Sequence, residues 1–111
     1  MWILRTVTDD RQGLDTPDQG PPTGEKTFRI LPGAVRNIGR AVWAYFFVDA
    51  ALVSRVHCRF TALDDGGLEI RDLDSTNGTF VNCHRIASTR LASGDRMQIG
   101  RLQLVALRDS T

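Results

Sequence analysis

The stretch from Asp72 to Asn82, DLDSTNGTFVN, sets the tightest limit on what this chain can fold into. It leaves a strand-like run at Leu68 and Ile70, crosses the polar turn Ser75-Thr76-Asn77-Gly78, and re-enters a strand at Thr79-Phe80-Val81. Asn and Gly adopt positive φ at the least steric cost, so Asn77-Gly78 marks a tight reversal between β-prone flanks. An isolated Asn-Gly pair reads as an ordinary hairpin turn. Here it has company: Gly39-Arg40 and Ser54-Arg55-Val56-His57 precede it, and Gly94-Asp95 and Ile99-Gly100 follow.

Around that turn the chain is a succession of short β-prone runs separated by turn signals, the pattern of an all-β, two-sheet sandwich. Trp2 to Val7 is the first run. Residues 8–26 hold three Pro and three Gly and scarcely any apolar side chain. Such a segment buries no face and reads as a mobile loop between the first and second strands. Thr27–Leu31 and Ala34–Ile38 flank Pro32-Gly33 and read as a strand pair that delivers Gly39-Arg40 at its end. Residues 41–53 are dense enough in apolar side chains to pass for a buried helix, but Tyr45-Phe46-Phe47-Val48 favours a strand there, and Trp43 reads equally as a core residue or as part of an exposed loop. From Ser54 to Leu63, Val56, Cys58 and Phe60 alternate with His57, Arg59 and Thr61, which places the first three on a buried face. Asp64-Asp65-Gly66-Gly67 is a turn, and Leu68–Arg71 alternates again. Phe80 and Ile86 continue the inward-facing set, and a last hairpin closes around Gly100-Arg101. In the Asn82–Arg85 turn, Cys83 is strained by about 1 kcal/mol if it takes positive φ.

At 111 residues the chain is one domain, 1–111, with room for a small core. No apolar run reaches membrane-spanning length, and Met1–Arg5 lacks a signal-peptide pattern, so a cytoplasmic protein with no membrane contact is expected. The net charge of +1 hides an acidic start and a basic remainder, and one of the fourteen basic residues is Lys. Arg suits bidentate phosphate contact, whereas the absence of a dense basic helix argues against nucleic acid. His57-Cys58 and Cys83-His84 raise the question of zinc. Neighbours on a strand point to opposite faces, so neither a metal site nor a cofactor is expected, and Cys58 reads as a small inward residue.

In order and spacing, the four motifs GR, SRxH, STNGTFVN and GD resemble those of the forkhead-associated (FHA) domain, over about Phe28 to Leu107. The resemblance implies a two-sheet β-sandwich that reads phosphothreonine in partner proteins, with the binding loops at one edge. It makes Arg40, Ser54 and Thr76 the phosphate-binding residues. Arg55 and Asn77 would contact the peptide, with Asn82 a weaker candidate. Leu52 stands two positions before the serine, where some relatives carry a basic residue that selects an acid three positions after the phosphothreonine. With Trp43 adding apolar surface, Leu52 implies an aliphatic residue there instead. Gly39, His57 and Gly78 are implied to support the loops, and Asp95 to shape its turn.

Two other readings compete. A catalytic one would combine Ser54, His57 and an acid such as Asp72, but side chains three apart on an extended segment leave from opposite faces. No nucleophile elbow, phosphate loop or metal motif accompanies them. The stronger competitor is a scaffold that binds partners without phosphate, through an exposed Trp43-Tyr45 surface. The composition does not fix the oligomeric state.

Overall fold

The computed structural model describes residues 1–7 and 26–109. The expected loop over 8–26 therefore lies, except for Lys26, outside the described residues. The strands are β1 (Trp2–Thr6), β2 (Thr27–Ile30), β3 (Val35–Gly39), β4 (Phe46–Phe47), β5 (Cys58–Ala62), β6 (Leu68–Asp72), β7 (Thr79–Val81), β8 (His84–Ile86), β9 (Ser88–Leu91), β10 (Arg96–Ile99) and β11 (Leu102–Arg108). They form a six-stranded sheet in the order β2-β1-β11-β10-β7-β8 and a five-stranded sheet in the order β4-β3-β5-β6-β9. The expected all-β two-sheet sandwich is what the sequence folds into.

The core lies between the sheets because strand alternation sends one set of side chains inward from each layer. Leu4, Met97, Ile99 and Leu104 come from the larger sheet, and Ile38, Cys58, Phe60, Leu68 and Ile70 from the smaller. Full burial of each large aliphatic or aromatic side chain stabilises by roughly 1.5–3 kcal/mol. Cys58 is buried as expected. The Asp64–Gly67 turn joins the antiparallel pair β5–β6, and β10–β11 is the closing hairpin.

Four local expectations change. Pro32-Gly33 does not join a strand pair: β2 lies beside β1 and β3 beside β5, in different sheets. The turn, closed by Ala34 N–H on the Leu31 carbonyl, lets Ile30 and Ile38 fill the core from opposite layers. Asn77-Gly78 likewise carries the chain from β6 in one sheet to β7 in the other, rather than closing a hairpin. Phe80 faces away from the core. Its neighbours Thr79 and Val81 pair with Ile99 and Met97, and cross-strand partners share a face. Strand alternation also fails at His57, because β5 begins only at Cys58; His57 is fully buried and Val56 half-buried.

Within residues 41–53 only Phe46–Phe47 is strand, paired parallel to β3. Ala41 and Ala44 are buried and close a β-turn, Ala44 N–H on the Ala41 carbonyl, that leaves Val42 and Trp43 86% and 62% exposed. The β7–β8 hairpin has a two-residue loop, Asn82-Cys83, with φ of 49° and 70°. Two positive φ values in succession define the type I′ turn, whose twist matches the flanking strands. Asn tolerates this and Cys does not. Cys83→Gly is expected to stabilise the domain by about 1 kcal/mol. Urea unfolding would show a higher midpoint at unchanged slope; an equal or lower midpoint would mean the turn stores no such strain.

Candidate functional site

Three connections meet at one end of the sandwich: the β3–β4 loop, the β4–β5 loop and the β6–β7 crossover. Beyond β3 and before β5 the backbones stay paired, Arg40 N–H donating to the Ser54 carbonyl and Ala41 N–H to that of Arg55, both at 2.9 Å. This close pairing explains Gly39, where a Cβ would lie 2.1 Å from the Arg55 carbonyl oxygen. The crossover is tied in by Thr76 N–H donating to Ser54 Oγ at 3.0 Å and Asn77 Nδ2 donating to the Leu52 carbonyl at 3.0 Å. Leu52 itself takes φ of 68°. It is held there from below, because Arg101 N–H donates to the Ala51 carbonyl and a Cβ at Gly100 would lie 2.6 Å from the Leu52 carbonyl carbon.

Behind these loops sits His57. Its Nδ1 accepts from the Ser54 N–H at 3.0 Å, and its Nε2 lies 2.8 Å from the Gly78 carbonyl oxygen. An amide can only donate and a carbonyl only accept, so the ring is the neutral tautomer with its proton on Nε2. Burial lowers the His57 pKa, against the opposing pull of the Gly78 carbonyl and the Asp72 charge. The imidazole engages the Ser54 amide, not its hydroxyl, so it is not placed as a base for Ser54. The two residues meet through a bend rather than along the extended segment that the sequence suggested.

Asp72 organises the crossover. Its Oδ1 accepts from the hydroxyls of Ser75 and Thr79, at 2.5 and 2.7 Å, and its Oδ2 from the Ser75 N–H at 3.2 Å. Ser75 Oγ accepts in turn from the Gly78 N–H at 3.0 Å. Burial alone would raise the Asp72 pKa; hydrogen bonds from the Ser75 and Thr79 hydroxyls and the Ser75 N–H hold it below the usual carboxylate range.

Arg40, Arg55, Thr76 and Asn77 are exposed and Ser54 is half-buried. Neither Arg40 nor Arg55 has an acidic partner: the one salt bridge among the described residues is Arg90–Asp65. The Ser54 hydroxyl accepts the Thr76 amide, which leaves its own proton for another acceptor. An unpaired guanidinium and spare hydroxyl protons are groups that can hold a compact anion through charge-assisted hydrogen bonds. No cluster of His, Cys, Asp and Glu suited to a metal occurs among the described residues.

A family model, that of the FHA domain, matches residues 36–100. The chain belongs to the FHA family. Glycogen accumulation regulator GarA of Mycobacterium tuberculosis is 37% identical over 89 residues, 80% of this chain and 53% of that protein. The chain thus spans about half the length of the curated relatives it matches. A solved structure from a structural and functional analysis of phosphothreonine-dependent FHA domain interactions superposes with a TM-score of 0.77 at 26% identity, covering 99% of this chain and 98% of that one. The FhaA FHA domain, crystallised with the intracellular domain of Rv3910, gives a TM-score of 0.73 at 28% identity, covering 96% and 99%.

The structure brings Arg40, Ser54, Arg55, Thr76, Asn77 and Leu52 of this FHA domain together by direct hydrogen bonds or adjacent backbone, and sets Trp43 at the tip of the turn after Arg40. It does not bring Asn82 with them. That residue lies at the far end of β7 from Gly78, and its amide is engaged by Asp95 Oδ1 at 3.1 Å and the Arg96 N–H at 3.0 Å. Asp95 also accepts from the Ala92 N–H, the turn role expected of it. Sequence reading missed the Asp72–Ser75–Thr79 cluster, although an Asp with Ser three residues on is a known turn-former. It also missed the clamp of Gly100 on Leu52, a contact no local pattern announces.

The His57 environment has a pH consequence. A folded-state pKa below the ordinary value near 6.5 means the unfolded chain takes up this proton first. The stabilisation is complete above that value and is lost as pH falls below it. The thermal midpoint is expected to drop between about pH 7.5 and 5.5, and to drop less in a His57→Ala variant, itself less stable at pH 7.5. Parallel pH profiles for the two proteins would show that His57 is not the responsible group.

Proposed function

We propose that this domain binds phosphothreonine in partner proteins and so couples Ser/Thr-kinase signalling to protein association. The observation that carries the reading is the pairing of an unpartnered Arg40 with a Ser54 hydroxyl whose acceptor side is already taken by the Thr76 amide. Arg40 supplies charge, Ser54 a directed proton, and the Thr76 side chain, exposed beside them, a third contact. A phosphothreonine offers close to two negative charges and three acceptor oxygens, which match that set. Asn77, anchored on the Leu52 carbonyl, presents the rest of its amide to the peptide backbone, and Arg55 lies alongside. Asn82 is spent on its own hairpin and contributes nothing to the contact.

We take the domain to be a binding module and not an enzyme, because His57 is bonded on both nitrogens to backbone and, among the described residues, no other base is hydrogen-bonded to Ser54. An exposed free thiol at Cys83 suits a reducing, cytoplasmic setting. The 1–111 chain acts as one such module. Leu52, 52% exposed, and Trp43 offer apolar surface to a side chain three positions after the phosphothreonine. An aliphatic residue is favoured over Asp there by roughly 1 kcal/mol.

Calorimetry with phosphothreonine peptides and their unphosphorylated twins tests the reading. Removing a charge-assisted contact costs about 1.5–3 kcal/mol, so Arg40→Ala and Ser54→Ala should each weaken binding about tenfold or more. The thermal midpoint of Arg40→Ala should barely move. Equal binding of phosphorylated and unphosphorylated peptides would overturn the reading in favour of a phosphate-independent scaffold.

A further inference from the structure

Outside the residues already assigned, one cation is fixed against the crossover turn. Arg85 stands on β8 opposite Phe80, on the outer face of the larger sheet. Its side chain lies across Gly78: Nε, Cζ and Cδ sit 2.8, 3.2 and 3.4 Å from where a Cβ of Gly78 would be. Gly78, with φ of 90°, is buried beneath it while Arg85 stays exposed. A side chain at position 78 would displace this arginine, so the glycine serves a close approach as well as the turn.

Arg85 has no acidic partner, since the Arg90–Asp65 pair is the one salt bridge among the described residues. Asp72, on the same crossover, spends its carboxylate on Ser75 and Thr79. The Nε side of the Arg85 guanidinium therefore rests against Gly78, while the side chain stays exposed and makes no hydrogen bond within the described residues. Gly78 is two residues from Thr76, so the guanidinium lies within about 10 Å of Thr76. An extended peptide advances about 3.3 Å per residue. A phosphothreonine beside Thr76 therefore leaves its flanking residues, out to about the third or fourth, within reach of Arg85.

From this geometry we infer that Arg85 is a specificity-determining contact that recognises a second anionic side chain, a carboxylate or a phosphate, on the same peptide. The inference rests on the phosphothreonine reading above and adds a second charge to it. Arg85 does not touch the phosphothreonine phosphate; it selects among phosphothreonine peptides by what flanks them. The third position after the phosphothreonine is served by Leu52, so the acid belongs at another position within four residues.

The test is a scan of Asp through the positions within four residues of phosphothreonine other than the third following one, which is held as Leu, with Ala peptides as controls. Binding is measured for the wild type, Arg85→Gln and Arg85→Lys. One position is expected where Asp tightens wild-type binding about two- to fivefold, the range of an exposed ion pair. That gain should vanish in Arg85→Gln, persist in part in Arg85→Lys, and shrink with added salt. Phosphoserine at the same position distinguishes the two sources of charge: a larger gain than Asp identifies a second phosphate, an equal or smaller one a carboxylate. An Asp gain that survives in Arg85→Gln, or none at any position, overturns the inference. So does uniform weakening of acidic and neutral peptides together with a lowered thermal midpoint, which would mean that Arg85 merely covers Gly78. Failure of the underlying reading shows separately, in the Ala controls, as binding indifferent to threonine phosphorylation.

Discussion

The site depends on one imidazole. His57 joins two loops that have no ladder between them, taking the Ser54 amide on one nitrogen and the Gly78 carbonyl on the other. Both partners are backbone groups at points where the strands have ended, and both would be costly to bury unpaired. Because one partner donates and the other accepts, only the neutral ring satisfies them. Protonation would set an N–H against the Ser54 N–H. The same ring therefore fixes the spacing of the loops and limits the pH range over which they hold it.

From that tie the rest follows outward. Gly78 is held at its carbonyl by His57 and at its amide by Ser75 Oγ, and Asp72 in turn holds Ser75. The crossover is thus braced at both ends, and Thr76 and Asn77 project from a stiff base. Each then reaches back to the β4–β5 loop, onto Ser54 and Leu52. The Thr76 backbone and the Asn77 side chain are consequently fixed by contacts within the protein, which reduces the loop freedom that binding would have to remove.

The β-sandwich was legible in the sequence because alternation and turn residues are local signals, clear at Cys58-Arg59-Phe60 and at Leu68-Glu69-Ile70. Sheet membership was not. Pro32-Gly33 and Asn77-Gly78 look like hairpin turns in isolation, and only the partners of the flanking strands reveal that each crosses between layers. Phe80 was misread for the same reason, since its face is set by the register with β10. At the candidate site, the motifs single out Arg40, Ser54 and Thr76, but not the means of their positioning. The Asp72 cluster and the Gly100 contact under Leu52 join residues through space. Asn82 shows the reverse case, a polar residue in a suggestive motif that is consumed by the ends of its own hairpin.

Charge does not assemble this site. Arg40 and Arg55 stand on backbones paired side by side, with no salt bridge to either among the described residues, and the Arg85 side chain lies against the neighbouring crossover. Like charges at this spacing repel weakly in water and are screened over roughly a Debye length of 8 Å at physiological salt. Backbone hydrogen bonds, one buried imidazole and one satisfied carboxylate hold the arrangement against that repulsion. Asp72 is turned inward, its carboxylate engaged by the hydroxyls of Ser75 and Thr79 and by the Ser75 N–H. Were it free to pair with Arg40, a ligand would have to break an existing ion pair to bind. With that acid sequestered, the guanidinium groups of Arg40, Arg55 and Arg85 stand without a salt-bridge partner among the described residues.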